Sequence, residues 1–461
     1  MYRIPIDSFP KPTLRRHKQE LTMVPKDVFH AKESFFLAYD IEDGMFCVPR
    51  WYGMRHFGTA EQDDTQEGVP LRDGADHFVG TLLPHQRTTT DSVLATMRDD
   101  GAASPKGGLV CLGCGLGKTV CAMFVIASMR RRTLVLCHKK FLLEQWAERA
   151  AQFLPNATIG VVRQATVSVD ADIVFASVQS IYAREYPPDT FKNFGLLCVD
   201  EAHHMSAPCM SRALKKLPMR FVLALSATPE RRDGLTHLLF DSMGPLLYRM
   251  EREPETVLIM RIIYENRGVQ RELNDRGGKP AYARMLNTIA EDCVRTRCVS
   301  MHMKVLLDQD RHIIVLSDRI SQLVVLSEQM LADGMPPELV GMYVGKSKPS
   351  ERNEACGRRV LMSTFSMARE GLDQPRRDTL VLLSPTTSVE QAVGRILRPN
   401  LEKKVPLVVD IVDTFSIFMH MAKKRMRFYI KNRYVTKDVS HNDTSIDITR
   451  VYAQATLSQE Q

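Results

Sequence analysis

The sequence predicts an α/β protein: two tandem parallel-sheet domains behind a small N-terminal accessory domain. Three observations carry that prediction. Short apolar runs alternate with helix-length segments from about residue 80, and the alternation restarts after about residue 285. A glycine loop stands between the first of these runs and the helix that follows it. A chain of 461 residues is also too long for one ordinary core.

In chain order, residues 1–75 are an accessory region. They open basic and proline-rich (Pro5, Pro10, Pro12) and continue with Phe35, Phe36, Tyr39, Phe46, Trp51, Tyr52 and Phe57. Such aromatics favour a small core of their own over an exposed base-stacking surface. The polar, acidic stretch Glu61–Asp76 reads as a linker. The first domain is placed at 76–264. Its strands are read at Leu109–Leu112, Thr133–Cys137, Ile173–Ala176, Leu196–Val199 and Phe221–Leu225, with helices such as Thr119–Arg131 and Phe141–Phe153 between them. Short runs of Val, Leu, Ile, Phe and Cys suit strands covered on both faces. Gly268, Gly277 and Gly278 mark a hinge at 265–284. The second domain, 285–435, has runs at His312–Leu316, Leu339–Val344, Arg359–Met362, Thr379–Leu383 and Leu407–Ile411. Residues 436–461 are read as a tail.

Composition narrows the class. The chain is 44% hydrophobic and 25% charged, as a globular protein is. Its 62 Lys+Arg against 54 Asp+Glu give +8, which permits a polyanionic partner. No apolar stretch is long enough to span a bilayer and no secretory apolar core opens the chain, so a reducing, intracellular setting is expected, without a membrane partner. Ten cysteines there are not a disulfide framework. Cys111 and Cys114 form a C-x-x-C, but it overlaps the glycine loop and no second pair follows at metal spacing. Between 419 and 437 lie Lys423, Lys424, Arg425, Arg427, Lys431, Arg433 and Lys437 with no acid, interleaved with Phe428, Tyr429 and Tyr434. That stretch reads equally as a nucleic-acid contact or as a solvated basic helix.

The chemistry is carried by separated motifs. Gly113-Cys114-Gly115-Leu116-Gly117-Lys118-Thr119 follows an apolar run and precedes a helix. Glycines let backbone N–H groups converge on phosphate oxygens, and the helix start faces them with its positive end. Lys118 is expected to neutralise the β- and γ-phosphates, and the Thr119 hydroxyl to ligate Mg²⁺. Leu112 stands where the full G-x-x-x-x-G-K-[ST] pattern has glycine. Asp200-Glu201-Ala202-His203 follows the run Leu196–Val199, which places Asp200 at the ligand edge of a parallel sheet. Asp200 would hold Mg²⁺, directly or through water, and Glu201 would orient or deprotonate the attacking water. Ser226-Ala227-Thr228-Pro229 would supply a hydroxyl relay beside it. Gln391, Gly394, Arg395 and Arg398 share one helix face. An arginine given to a γ-phosphate from another domain is worth about 10³–10⁵ in rate.

In this order the motifs resemble those of superfamily 2 helicases, over about residues 80–430. Leu83-Pro84-His85-Gln86 resembles the adenine-recognising element, with Gln86 as its glutamine. Leu134–Trp146, including His138 and Lys139, resembles motif Ia. Ser177-Val178-Gln179-Ser180 resembles the T-x-Q-S nucleic-acid contact, through Ser177, Gln179 and Ser180. Ile313–Leu323, with Ser317 and Arg319, resembles motif IV. Ser363–Asp373 resembles motif V, whose Thr364, Gly371 and Asp373 would bridge nucleotide and strand. Gln391–Arg398 resembles motif VI. The stretch Ala227–Leu235 and the run Val409–Asp413 are closest to the xeroderma pigmentosum group B type. That group includes compact transcript-release helicases of poxviruses and their large-DNA-virus relatives; for a viral chain the setting would be virion or host-cell interior.

The resemblance implies two RecA-like domains, ATP and Mg²⁺ as cofactors, and Lys118, Asp200, Glu201, Arg395 and Arg398 as catalytic residues. Gln86, residues 113–119, Gly371 and Asp373 would bind the nucleotide. DNA, single-stranded or duplex and with little sequence preference, is the expected partner, with RNA or transcription machinery as further partners. The activity expected is an ATP-dependent DNA helicase or translocase in transcript release or repair. The alternatives are an RNA helicase and a nucleotide-switched scaffold that binds nucleic acid without translocating.

Overall fold

The computed structural model describes residues 1–24, 35–60, 64–97, 106–113, 115–138, 140–204, 207–230, 234–251, 257–345, 347–371, 376–387, 389–397 and 404–441. The chain forms two compact units, Met1–Arg252 and Glu253–Gln461.

Unit 1 begins with β1 (Tyr2–Pro5), α1 (Lys11–Glu20), β2 (Thr22–Met23), β3 (Phe36–Leu37), β4 (Asp40–Glu42), β5 (Met45–Val48) and α2 (Arg50–Phe57). Strands β1, β5 and β4 make a small antiparallel sheet. Phe9 packs edge-on against Phe46 and Phe57, and Tyr52 against His17. The region is not walled off. Tyr2, Leu21, Phe46, Val48 and Tyr52 share one buried cluster with Leu109, Leu134 and Leu197 of the large sheet. Buried Arg50 donates to the main-chain oxygens of Leu217, at 2.7 Å, and Met219, and Arg55 pairs with Asp241 at 2.6 Å. Thus the accessory region has its own sheet but shares the core of unit 1.

The main sheet follows: α3 (Pro84–Met97), β6 (Lys106–Leu112), α4 (Lys118–Met129), β7 (Thr133–Cys137), α5 (Lys140–Phe153), β8 (Ile159–Arg163), β9 (Thr166–Val167), β10 (Ile173–Ser177), α6 (Val178–Ala183), β11 (Leu196–Val199), α7 (Ala207–Lys215), β12 (Phe221–Ser226), α8 (Thr236–Met243) and β13 (Leu246–Met250). Its order is β13-β6-β12-β11-β7-β10-β8-β9, parallel except for the short β8–β9 hairpin. Every residue of β6, β7, β11 and β12 is buried, as strands covered by helices on both faces must be.

Unit 2 repeats the plan: β14 (Leu258–Tyr264), α9 (Tyr282–Glu291), α10 (Cys293–Asp308), β15 (Ile313–Ser317), α11 (Ile320–Ala332), β16 (Val340–Tyr343), α12 (Pro349–Gly357), β17 (Val360–Thr364), α13 (Phe365–Gly371), β18 (Thr379–Leu382), α14 (Glu390–Ile396), β19 (Leu407–Asp413), α15 (Ser416–Lys431) and β20 (Val435–Ser440). All neighbours in the order β16-β17-β15-β18-β19-β14-β20 are parallel.

Three boundaries differ from the sequence reading. Strand β14, read as the end of the first domain, lies between β19 and β20 in the second sheet. Its alternate residues feed two different cores, Leu258 and Met260 on one face and Val257 and Ile259 on the other. The segment read as a hinge is fastened to unit 2, where Asn266 Nδ2 donates to Asp292 at 3.1 Å and Gln270 Nε2 to Asp413 at 3.2 Å. The start of the tail, β20, is the edge strand of the second sheet.

Arg50 is the most exacting tie between the accessory region and the rest of unit 1. Replacing it strands two buried carbonyls, so Arg50→Ala is expected to cost about 3 kcal/mol in urea denaturation. A loss below about 1 kcal/mol would show that the region is only loosely attached.

Candidate active site

Strand β6 delivers the glycine loop. It ends at buried Leu112, and α4 starts at Lys118. Gly115 and Gly117 take φ of 85° and 84°, a region that L side chains rarely enter. At Gly117 the demand is double, because a Cβ would stand 2.2 Å from Gln86 Nε2. The turn aims the first N–H groups of α4 at one point, where the helix end favours an anion. Lys118 Nζ donates to Leu112 O at 3.3 Å and stands 3.9 Å from Glu201 Oε1. Thr119 is half-buried in the same helical turn, and Cys114 lies outside the described residues.

Gln86 braces this loop from behind. It is buried; its Oε1 accepts from the Leu83 N–H at 3.0 Å and its Nε2 donates to Leu116 O at 3.4 Å. The neighbouring His85 Nε2 lies 3.1 Å from the same carbonyl.

Strand β11 ends one strand away from β6, across β12. Asp200 therefore emerges at the carboxyl edge of the sheet, only 6% exposed. One of its oxygens accepts from the Glu201 N–H at 2.9 Å and the other from Trp146 Nε1 at 2.8 Å. Burial, and then repulsion by Glu201, push its pKa up to about 6, against the pull of Trp146 and Lys118. Trp146 was not singled out from sequence as a partner of Asp200. The signal was there, since one of only two tryptophans closes the motif Ia segment.

Glu201 has φ 46°, a left-handed conformation that costs a non-glycine residue about 1 kcal/mol or more. That turn sets its carboxylate between Lys118 and His203, whose Nδ1 is 3.5 Å away. The Ser226 hydroxyl donates to Thr228 O and lies 2.8 Å from His203 Nδ1. β11 and β12 are direct neighbours, with Val199 opposite Ala224, and this brings the two turns together. Of the two hydroxyls expected in the relay, Ser226 supplies its side chain, while Thr228 supplies its main-chain carbonyl.

The donor set fits magnesium. Thr119 and Asp200 offer oxygen, the ligand type the ion takes. Both Asp200 oxygens already accept hydrogen bonds, which suits holding the ion through water. A dication would also relieve the Asp200–Glu201 repulsion. Among the described residues no group of three or more His, Cys, Asp or Glu could hold a metal by itself. An ion completed by phosphate and water would need no such group.

The residues read as strand contacts divide. Gln179 accepts from Ser177 Oγ at 2.8 Å and donates to His138 O at 2.7 Å, because β7 and β10 pair side by side. Ser180 is instead buried, its Oγ accepting from the Gln164 N–H at 3.0 Å. Ser317 is fully buried, 2.7 Å from both Gln322 Oε1 and Ser384 Oγ. Both serines fasten neighbouring segments of their own units. Arg319 is half-buried with Nε donating to Asn287 at 3.0 Å, and half-buried Thr364 caps the start of α13 through the Met367 N–H at 3.4 Å. Gly371 closes α13. Arg395 sits in the last turn of α14. Lys139, Asp373 and Arg398 lie outside the described residues.

The turn leading to α14 is held at each of four consecutive residues. Leu383 O accepts from Arg295 at 2.8 Å, Ser384 Oγ bonds Gln322 at 2.7 Å, Pro385 O accepts from Tyr282 at 3.4 Å and Thr386 O from Arg425 at 2.8 Å. Arg295 and Arg425 are in turn paired with Asp413 at 2.9 Å and Asp410 at 2.8 Å on β19.

The raised Asp200 pKa has a stability consequence. A carboxyl that ionises at about 6 when folded and at 3.8 otherwise weakens the fold as pH rises between those values. Without ligands, Asp200→Asn is therefore expected to be more stable than the parent above pH ~7, by at most about 3 kcal/mol, with the difference closing towards pH ~4. Thermal melts across pH check this; a pH-independent difference would contradict it.

Comparison with known proteins follows the same lines. Residues 80–231 match the family described as type III restriction enzyme, res subunit. Yeast Dbp5 bound to RNA and ADP BeF3 shares the fold, with TM-score 0.55 at 13% identity over 82% of this chain and 97% of that one. A probable helicase of Escherichia phage T5 is 25% identical over 329 residues, covering 70% of this chain and 71% of that protein. A putative ATP-dependent RNA helicase of Acanthamoeba polyphaga mimivirus is 30% identical over 435 residues, covering 92% of this chain and 82% of that protein. Likeness of that extent across both units shows the family: the chain belongs to the superfamily 2 helicases and is an ATP-hydrolysing enzyme.

Proposed function

We propose that this helicase translocates along nucleic acid, with DNA as its principal track, in the manner of the compact transcript-release helicases of large DNA viruses. The observation that carries the motor reading is the chain of contacts from Lys118 to Glu201, His203 and Ser226. It ties a phosphate cradle to a neighbouring turn, so that a change at the nucleotide is felt away from it. Lys118 and the first turn of α4 hold the β- and γ-phosphates. Thr119 and Asp200 hold Mg²⁺, which when bound neutralises charge on the phosphates. Glu201 orients the water that attacks the γ-phosphorus and takes its proton, giving ADP and phosphate. Arg395 and Arg398 steady the charge that develops on the transferred group.

The Ala227–Leu235 stretch supports DNA. An RNA track is the second reading, favoured by the names of the mimivirus relative and of a putative ATP-dependent RNA helicase of African swine fever virus, 24% identical over 360 residues. One assay separates them and tests the cradle. ATP turnover is expected to rise most with DNA, and Lys118→Ala is expected to lose at least about 10²-fold of it. Stimulation by RNA alone would replace the DNA reading, and normal turnover by Lys118→Ala would remove the cradle.

A further inference from the structure

Helix α15 turns two unlike faces to its surroundings. Phe418, Ala422, Arg425 and Tyr429 are buried against unit 2. Diametrically opposite, on a 3.6-residue repeat, lie His420, Lys423, Lys424, Arg427 and Lys431, all exposed. The basic residues of the helix thus split by role. Arg425 is spent inside on Asp410, whereas Lys423, Lys424, Arg427 and Lys431 make no ion pair among the described residues. No acid occurs from Thr414 to Lys437, and the next one, Asp438, is taken by Arg261 at 2.8 Å. Four like charges on one face repel each other. A purely solvated helix would relieve this with interspersed acids.

We propose that this face of α15 is a second nucleic-acid contact, which grips the phosphate backbone without reading sequence. From His420 to Lys431 the stripe runs about 16 Å. A strand of duplex carries a phosphate about every 3.4 Å along the axis, so the stripe matches about five phosphates. Exposed Met419 and Ile430 flank it, and Ile430, 64% exposed, gives sugars an apolar surface. A membrane is the poorer occupant, since the apolar side of the helix is already used up in the core of unit 2. The stripe is separate from the contacts read from the motifs. α15 follows β19, and its basic residues run back from the edge where β15 and β17 present Arg319 and Thr364. The stripe's role rests on nucleic acid being the partner.

The test compares the full chain with Lys423→Ala/Lys424→Ala/Arg427→Ala/Lys431→Ala, titrating labelled single-stranded and duplex oligonucleotides across salt without nucleotide. The expected result is a slope of log affinity against log salt flatter by about 3, and an affinity at low salt reduced at least about tenfold, with nucleic-acid-free ATP turnover unchanged and the melting temperature not lowered. The pair Lys424→Gln/Lys431→Gln should lose about half of that slope change. Which oligonucleotide is affected more identifies duplex or single strand as the ligand. An unchanged slope in both variants overturns the proposal, as does a loss confined to anionic vesicles or to an acidic protein. Failure of the motor reading looks different: the parent would bind through the stripe, yet no nucleic acid would raise its ATP turnover.

Discussion

A carboxylate forced into the core at the end of β11 is the constraint around which unit 1 is arranged. Left alone, a buried Asp200 would take up a proton near neutral pH; its pKa of about 6 is a residue of that tendency. Keeping it charged takes a tryptophan N–H from α5, a backbone N–H from the strained Glu201 turn, and Lys118 from the start of α4. Each partner comes from a different element, so the placement of α4, α5 and the β11 turn is tied to one charge. Cys137 and Cys198 lie close by, and burial, with Asp200 adding to it, raises both thiols so that they stay neutral. No second negative charge other than Glu201 is thereby brought near.

Unit 2 applies the same physics with paired charges. Arg295–Asp413, Arg425–Asp410 and Arg311–Asp378 are all buried. Desolvating both ions offsets most of their attraction, so such pairs fix geometry more than they add stability. What two of them fix is the 383–386 turn, which sets where α14 starts and hence where Arg395 is carried. Buried charge appears in both units at the end of a central strand, where an apolar side chain would have served stability better.

Strands buried on both faces were legible because nothing but packing decides them: Thr133–Cys137 and Leu196–Val199 match the structure residue for residue. The phosphate loop was legible because its glycines and lysine lie next to each other in sequence. Elements whose fate depends on a distant partner were not. Leu258–Tyr264 is apolar enough for either sheet, and only pairing with β19 and β20 assigns it. Ser180 and Ser317 carry the residue type of a strand contact, yet each is consumed by a loop whose position sequence does not encode locally. Trp146 could be seen as a core residue but not as a donor to Asp200, because that bond spans 54 positions.

The central proposal is that hydrolysis needs Arg395 as well as Lys118 of the phosphate cradle. The most direct measurement is ATP binding and ATP turnover in the same preparation of Arg395→Ala. A role for Arg395 in hydrolysis predicts ATP affinity within a few-fold of the parent and nucleic-acid-stimulated turnover lower by about 10³-fold or more. Turnover equal to the parent would contradict it.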